Sequence, residues 1–205
     1  FTQPAIGGGP SPERVGLLAK RRLLEIRVGG TAGRGVIVTG LVLATAATRD
    51  HRYVAQTQTH ALEETDVHGH SDVIISDEPV DFPELQGVDL LLAFCQWAAD
   101  AYVDLLRPDG VLLYDSQEVT RPPSFDGATY ALPLDQLTRK AAGRSESVPC
   151  LVALGAAVAI TGVVSAASLT ATVEELELVG SKAARKKALE YGLALDPKQL
   201  RRTRR

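Results

Sequence analysis

Apolar positions along the chain fall into two rhythms, short continuous runs and longer segments spaced for a helix. Leu24 to Val28 is a compact aliphatic run closed by Gly29-Gly30, and Val36 to Ala47 then supplies the apolar residues of a helix packed on a sheet. That pair is a βα unit. Tyr53–Thr57, Asp72–Ile75, Val88–Phe94 and Val111–Tyr114 are further strand candidates, the third nearly all apolar as a strand covered on both faces must be. Ala98 to Leu106 bridges the strands ending at Phe94 and Tyr114, with Arg107-Pro108-Asp109-Gly110 as a helix stop and turn. The apolar stretch from Leu151 to Val164 predicts a buried helix, because about 15 residues fall short of the roughly 20 that a membrane span needs. The predicted fold class is α/β, a Rossmann-like three-layer domain with a mostly parallel sheet and helices on both faces.

Composition narrows the function. With 45% hydrophobic and 23% charged residues in a chain of 205, one well-buried core is expected and disorder is not. A net charge of -3 and 5% aromatic residues argue against a nucleic-acid binder. The charge is uneven: from Ser181 onward nine basic residues face Glu190 and Asp196, a local net of +7, leaving -10 on the rest. Three parts follow: an N-terminal arm over 1–22, rich in Gly and Pro, an α/β domain over 23–180, and a basic helix and tail over 181–205 suited to docking along an acidic neighbouring subunit. Cys95 and Cys150 are too few for a disulfide framework or an iron–sulfur cluster and fit a reducing compartment. With no secretory leader after Phe1, a cytoplasmic location without a membrane span is expected.

The chemistry-bearing motif is Gly29-Gly30-Thr31-Ala32-Gly33-Arg34-Gly35, where the first strand hands over to the first helix. Glycine permits positive φ and close approach, so backbone N–H groups of such a loop can face an anion at a helix N-terminus, and the Arg34 guanidinium suits phosphate or carboxylate. Gly30 to Gly35 reads G-x-x-G-x-G, which is neither the dinucleotide fingerprint nor a Walker loop. Two readings stay open, a phosphate cradle and glycines that only permit tight helix–sheet packing.

All four histidines, His51, His60, His68 and His70, lie close together among Glu63, Glu64, Asp66 and Asp72. A metal site, a solvated loop and a ligand-facing loop are the alternatives, with His68 and His70 on one face of an extended segment. Cys150 is expected to be structural, Asp115-Ser116 to serve a cap or turn, and Trp97 and Tyr102 to be core or interface aromatics.

Taken in order, these segments resemble the gamma subunit of the 2-oxoacid:ferredoxin oxidoreductases, from about Leu24 to Gly192. The resemblance rests on the Gly29–Gly35 loop with Gly40, on Tyr53-Val54-Ala55-Gln56-Thr57-Gln58, on Ser71 to Pro79, on Leu105 to Asp115, and on Val152-Ala153-Leu154-Gly155-Ala156 with Thr161-Gly162. It implies oxidative decarboxylation of a 2-oxoacid with coenzyme A to acyl-CoA and carbon dioxide by a cytoplasmic hetero-oligomer. Thiamine diphosphate, Mg2+ and [4Fe-4S] clusters would lie in partner subunits and none in this chain alone. The implied partners are alpha, beta and ferredoxin-like delta subunits, with ferredoxin as external electron acceptor. The chain is not catalytic alone; its implied role is assembly and the coenzyme A side of the site, with Gly30, Gly33, Arg34, Gly35, Thr57 and Gln58 near coenzyme A. Ala32 and Arg34 depart from the family's usual loop, and Thr65-Asp66-Val67 replaces its Arg-Gly-Gly. A stand-alone nucleotide-binding oxidoreductase and a purely structural subunit are the rival readings.

Overall fold

The computed structural model describes residues 16–59, 68–143 and 148–200. Six strands, β1 (Leu23–Thr31), β2 (Tyr53–Thr59), β3 (His68–Ser76), β4 (Val88–Ala93), β5 (Leu106–Asp115) and β6 (Ala128–Leu132), form one sheet in the order β2-β3-β1-β4-β5-β6. β1, β4, β5 and β6 run parallel, whereas β3 is antiparallel to both β1 and β2, so the sheet is mostly parallel as expected. The helices are α1 (Val36–Arg49), α2 (Gln96–Tyr102), α3 (Leu134–Ala142), α4 (Pro149–Thr161), α5 (Ala166–Glu175), α6 (Lys182–Ala194) and α7 (Pro197–Leu200).

The period of two decides which helix each strand residue meets. Leu24, Ile26 and Val28 of β1, with Leu90 and Leu92 of β4, join α1, α4, α5 and α6 in the larger core. Leu91 and Ala93 of β4, with Leu112 and Tyr114 of β5, face α2 in a smaller one. Three layers are present, but the second face carries little beyond α2. There β1 and β3 present Glu25, Arg27, His70 and Asp72 in place of aliphatics, and the charges are paired: Arg27 grips Asp72 at 2.7 and 2.6 Å. Glu25 and Asp89, both buried, are bridged by Arg107, and Arg21 adds a second cation on Asp89.

Five elements differ from the sequence expectation. Arg107-Pro108-Asp109-Gly110 lies inside β5, looped out where the register shifts between Val88 and Leu90 of the partner strand. The turn chemistry marks a bulge. β6, α3 and α5 went unpredicted. The basic segment from Lys182, expected to stand apart, folds as α6 on α4, where Gly155 and Gly192 bring the two backbones together; a Cβ on Gly155 would stand 2.6 Å from Leu189 O. Lys182, Lys186 and Lys187 occupy the outward face, whereas Ala188 and Leu189 are buried and so is Arg185, whose guanidinium donates to Leu178 O at 2.5 Å. The arm before Gly16, His60, Glu63, Glu64, Asp66 and the last five residues lie outside the described residues. No helix among the described residues is long and apolar enough to cross a membrane.

Candidate functional site

β1 ends and α1 begins through the glycine loop, and each glycine has a separate reason. A Cβ on Gly29 would stand 2.9 Å from Ala98 Cβ of α2, and one on Gly30 would stand 2.9 Å from Phe94 Cβ and 3.0 Å from Val36 Cγ2 of α1, so the two serve close packing on opposite faces of the sheet. Gly33 and Gly35 adopt φ of 81° and 79°, which residues with a Cβ rarely take, while Arg34 N–H donates to Thr31 O at 3.2 Å to close the turn. Gly29 and Gly30 thus fit the packing reading, while Gly33 and Gly35 give the loop its turn.

A cleft of about 370 Å³ opens over this loop. Gly30, Gly33, Arg34 and Gly35 line it with the first turn of α1, Val36 to Val38, whose N–H groups lack intrahelical acceptors. The N-terminus of α4 enters from the opposite wall through Val148, Pro149 and Cys150. Neither helix is closed by a side-chain cap. Two partial positive ends thus converge on an otherwise apolar cleft completed by Leu151, Leu178 and Val179. Gly35 makes the convergence possible, since a Cβ there would lie 2.6 Å from Cys150 Sγ.

Arg34 reaches this site already engaged. Its guanidinium donates to Asp135 at 3.1 Å and pairs with Glu118, tying the loop to the β5–β6 connection and to α3. Thr57 and Gln58 do not line the cleft, and their adjacent positions in the ladder, opposite Asp72 and Ser71, place them on opposite faces of the sheet. Their neighbour Thr59 does line it, as do His68 and Gly69. Those residues, and Val148 to Leu151 with Leu178 and Val179, come from distant segments; only the rule that strand ends flank the crevice pointed toward them.

The remaining candidates separate by chemistry. Burial pushes the Cys150 thiol up to about 11, and it also raises Cys95, so neither is a ready thiolate nucleophile. Burial raises Asp115 as well; its Oδ1 accepts from Gln117 N–H at 3.0 Å and Leu134 N–H at 3.3 Å, which makes it a turn-holding residue. His68 and His70 do share one face of β3, as expected from their spacing, but His51 sits beyond the start of β2 at φ 58°, at the other end of that strand. Among the described residues no group of three or more His, Cys, Asp or Glu is placed to hold a metal ion. Burial lowers His70 below its ordinary value, with Arg27 adding to the effect and Asp72 opposing it.

The sequence profile of the family described as pyruvate ferredoxin/flavodoxin oxidoreductase matches residues 25–194. The 2-oxoglutarate synthase subunit KorC of Methanocaldococcus jannaschii is 34% identical over 148 residues, covering 71% of this chain and 79% of that one. The keto/oxoacid ferredoxin oxidoreductase gamma subunit of Geobacter sulfurreducens superposes with a TM-score of 0.77 at 34% identity, over 88% of this chain and 99% of the other. The 2-oxoglutarate:ferredoxin oxidoreductase of Magnetococcus marinus, solved with 2-oxoglutarate, coenzyme A and succinyl-CoA bound, superposes with a TM-score of 0.73 at 25% identity. The match covers 88% of this chain but 32% of that longer one.

Proposed function

The chain belongs to the pyruvate ferredoxin/flavodoxin oxidoreductase family, as a gamma-type subunit of a 2-oxoacid:ferredoxin oxidoreductase, and from that premise we propose that its own task is to build the coenzyme A side of the site. The reaction of the whole complex is oxidative decarboxylation of a 2-oxoacid with coenzyme A to acyl-CoA and carbon dioxide. Thiamine diphosphate, Mg2+ and iron–sulfur clusters reside in alpha, beta and ferredoxin-like partner subunits, and ferredoxin takes the electrons. Two cysteines are too few for an iron–sulfur cluster held by four thiolates, which supports placing the clusters elsewhere.

One observation carries the reading: the glycine loop and the uncapped N-termini of α1 and α4 meet in one cleft with apolar walls. Unpaired N–H groups at a helix start stabilise phosphate, and apolar walls suit a long, largely uncharged thiol arm. Gly30, Gly33 and Gly35 shape the loop. Arg34 contributes by holding it, and Thr57 and Gln58 by supporting the strand that delivers Thr59 to the cleft. A second reading, a subunit whose loop only holds the assembly together, is favoured by the engagement of Arg34 with Glu118 and Asp135.

The test is purification of this chain from its native cell with whatever accompanies it, followed by identification of the chains by mass spectrometry, a visible spectrum and coenzyme A-dependent turnover of 2-oxoacids. A brown complex containing a thiamine-binding partner and active only when assembled is expected. A colourless lone chain with its own turnover would overturn the proposal.

A further inference from the structure

Beside the cleft lies an aromatic cluster of His68, Trp97, Tyr102 and His70. His68, a lining residue, stacks on Trp97 with ring centroids 4.6 Å apart and planes 24° from parallel. Trp97 remains 39% exposed, so it does not close the core. Tyr102 meets both Trp97 (5.3 Å, 82°) and His70 (5.5 Å, 72°) edge-on, and its hydroxyl lies 3.1 Å from His70 Nδ1. Beneath them the Arg27 guanidinium sits 4.6 Å over the Tyr102 ring and is locked by its paired bonds to Asp72. Each ring is thus fixed by a neighbour of different chemistry, which spares the entropy normally lost when a surface aromatic is ordered on binding.

Position gives this cluster a meaning. His68 is the ladder partner of Thr31, the residue at which the glycine loop begins. A planar surface therefore stands one strand away from a loop and helix start suited to phosphate. Phosphate at one end and a flat, π-rich wall at the other is the demand made by a nucleotide, whereas a short 2-oxoacid needs no such wall. We propose that His68, backed by Trp97, is the platform on which the purine base of a nucleotide-bearing ligand stacks while its phosphates meet the glycine loop. This rests on the coenzyme A reading above, and it assigns the end of that molecule that this chain recognises.

Trp97 is the single tryptophan of the chain, so it reports on the platform without ambiguity. The chain is labelled with 5-fluorotryptophan, assembled with its partner subunits, and titrated with coenzyme A or with pantetheine, which lacks the nucleotide. Coenzyme A should shift the fluorine resonance and pantetheine should leave it in place. Trp97→Leu should weaken coenzyme A binding about five- to a hundredfold, the range of base–aromatic stacking, Trp97→Phe should recover most of it, and pantetheine binding should not change. Coenzyme A binding of wild-type strength in Trp97→Leu, with an unmoved resonance in the parent, would overturn the platform and leave the coenzyme A reading standing. A fully assembled complex that turns over without binding coenzyme A would overturn both.

Discussion

Arg34 stands between Glu118 and Asp135, so it can stabilise the glycine loop without touching a ligand. Removing it frees the loop from the β5–β6 side and leaves two carboxylates near the cleft. Arg34→Ala is therefore expected to weaken coenzyme A binding about tenfold, and a double-mutant cycle with Glu118→Ala should return a coupling on the order of 1 kcal/mol. Strict additivity in that cycle would detach Arg34 from Glu118. Asp89 is a harsher case: buried, it accepts Glu25 N–H at 2.8 Å and pairs with Arg21 and Arg107. Asp89→Ala leaves that N–H and both cations short of an acceptor, for a loss of about 2–4 kcal/mol by denaturant unfolding, moderated because both arginines are partly exposed. His70 gives a pH signature. Its folded value lies below the ordinary 6.5, so the native state disfavours its charged form. Stability associated with neutral His70 is present above 6.5 and is lost as pH falls from there through the depressed value. His70→Asn should flatten that slope in unfolding measured as a function of pH. At this scale the sequence showed which residues carry chemistry but not their partners, since Arg34 and Glu118 are 84 positions apart.

At the scale of elements, the strands and helices with strong apolar runs were legible, and β6, α3 and α5 were not. β6 is a five-residue edge strand, and α3 buries Leu134, Leu137 and Thr138 beside charged neighbours, so neither presents a marked run. The reversed direction of β3 was hidden for another reason. Strand cores at Tyr53–Thr57 and Asp72–Ile75 leave a gap long enough for a crossover, and only the observed strand ends at Thr59 and His68 make the interval too short for one. The contact of α6 with α4 shows packing overriding propensity. Ala in place of Gly155 would favour an isolated helix by about 1 kcal/mol. Here the added methyl meets Leu189 O at 2.6 Å and Leu193 N at 2.8 Å, both backbone atoms that cannot rotate away. Gly155→Ala should therefore lower stability, by about 1–3 kcal/mol net of propensity, in thermal unfolding. A rise in Tm would mean that the helices separate at no cost.

For the whole molecule, the uneven dress of the sheet is the main fact. One face carries α1 and the α4–α6 group, and the other has α2 with paired charges between the strands. The glycine loop leaves the end of β1 beside the start of α4, which is why one cleft gathers residues from the two halves of the chain. The basic C-terminal end offers a test of docking on an acidic neighbouring subunit. Leu200 packs on the larger core, so a truncation that spares the fold must begin after it. Deleting 201–205 removes four arginines and should loosen the complex in a salt-sensitive way while leaving unfolding of the chain unchanged. Equal sedimentation of the truncated and full complexes across salt would exclude that docking. The family and the loop were legible in the sequence because motif order survives divergence. The cleft was only half legible, since its far wall comes from α4 and from Leu178–Val179.

The claim that this chain builds the coenzyme A side of the site is tested most directly by hydrogen exchange on the assembled complex, with and without coenzyme A. The expected result is slowed exchange of the amides of Gly33 to Val38 and at the start of α4, with β6 and α3 unchanged. Unaltered exchange at the glycine loop and at the start of α4, in a complex that is turning over and saturated with coenzyme A, would contradict it.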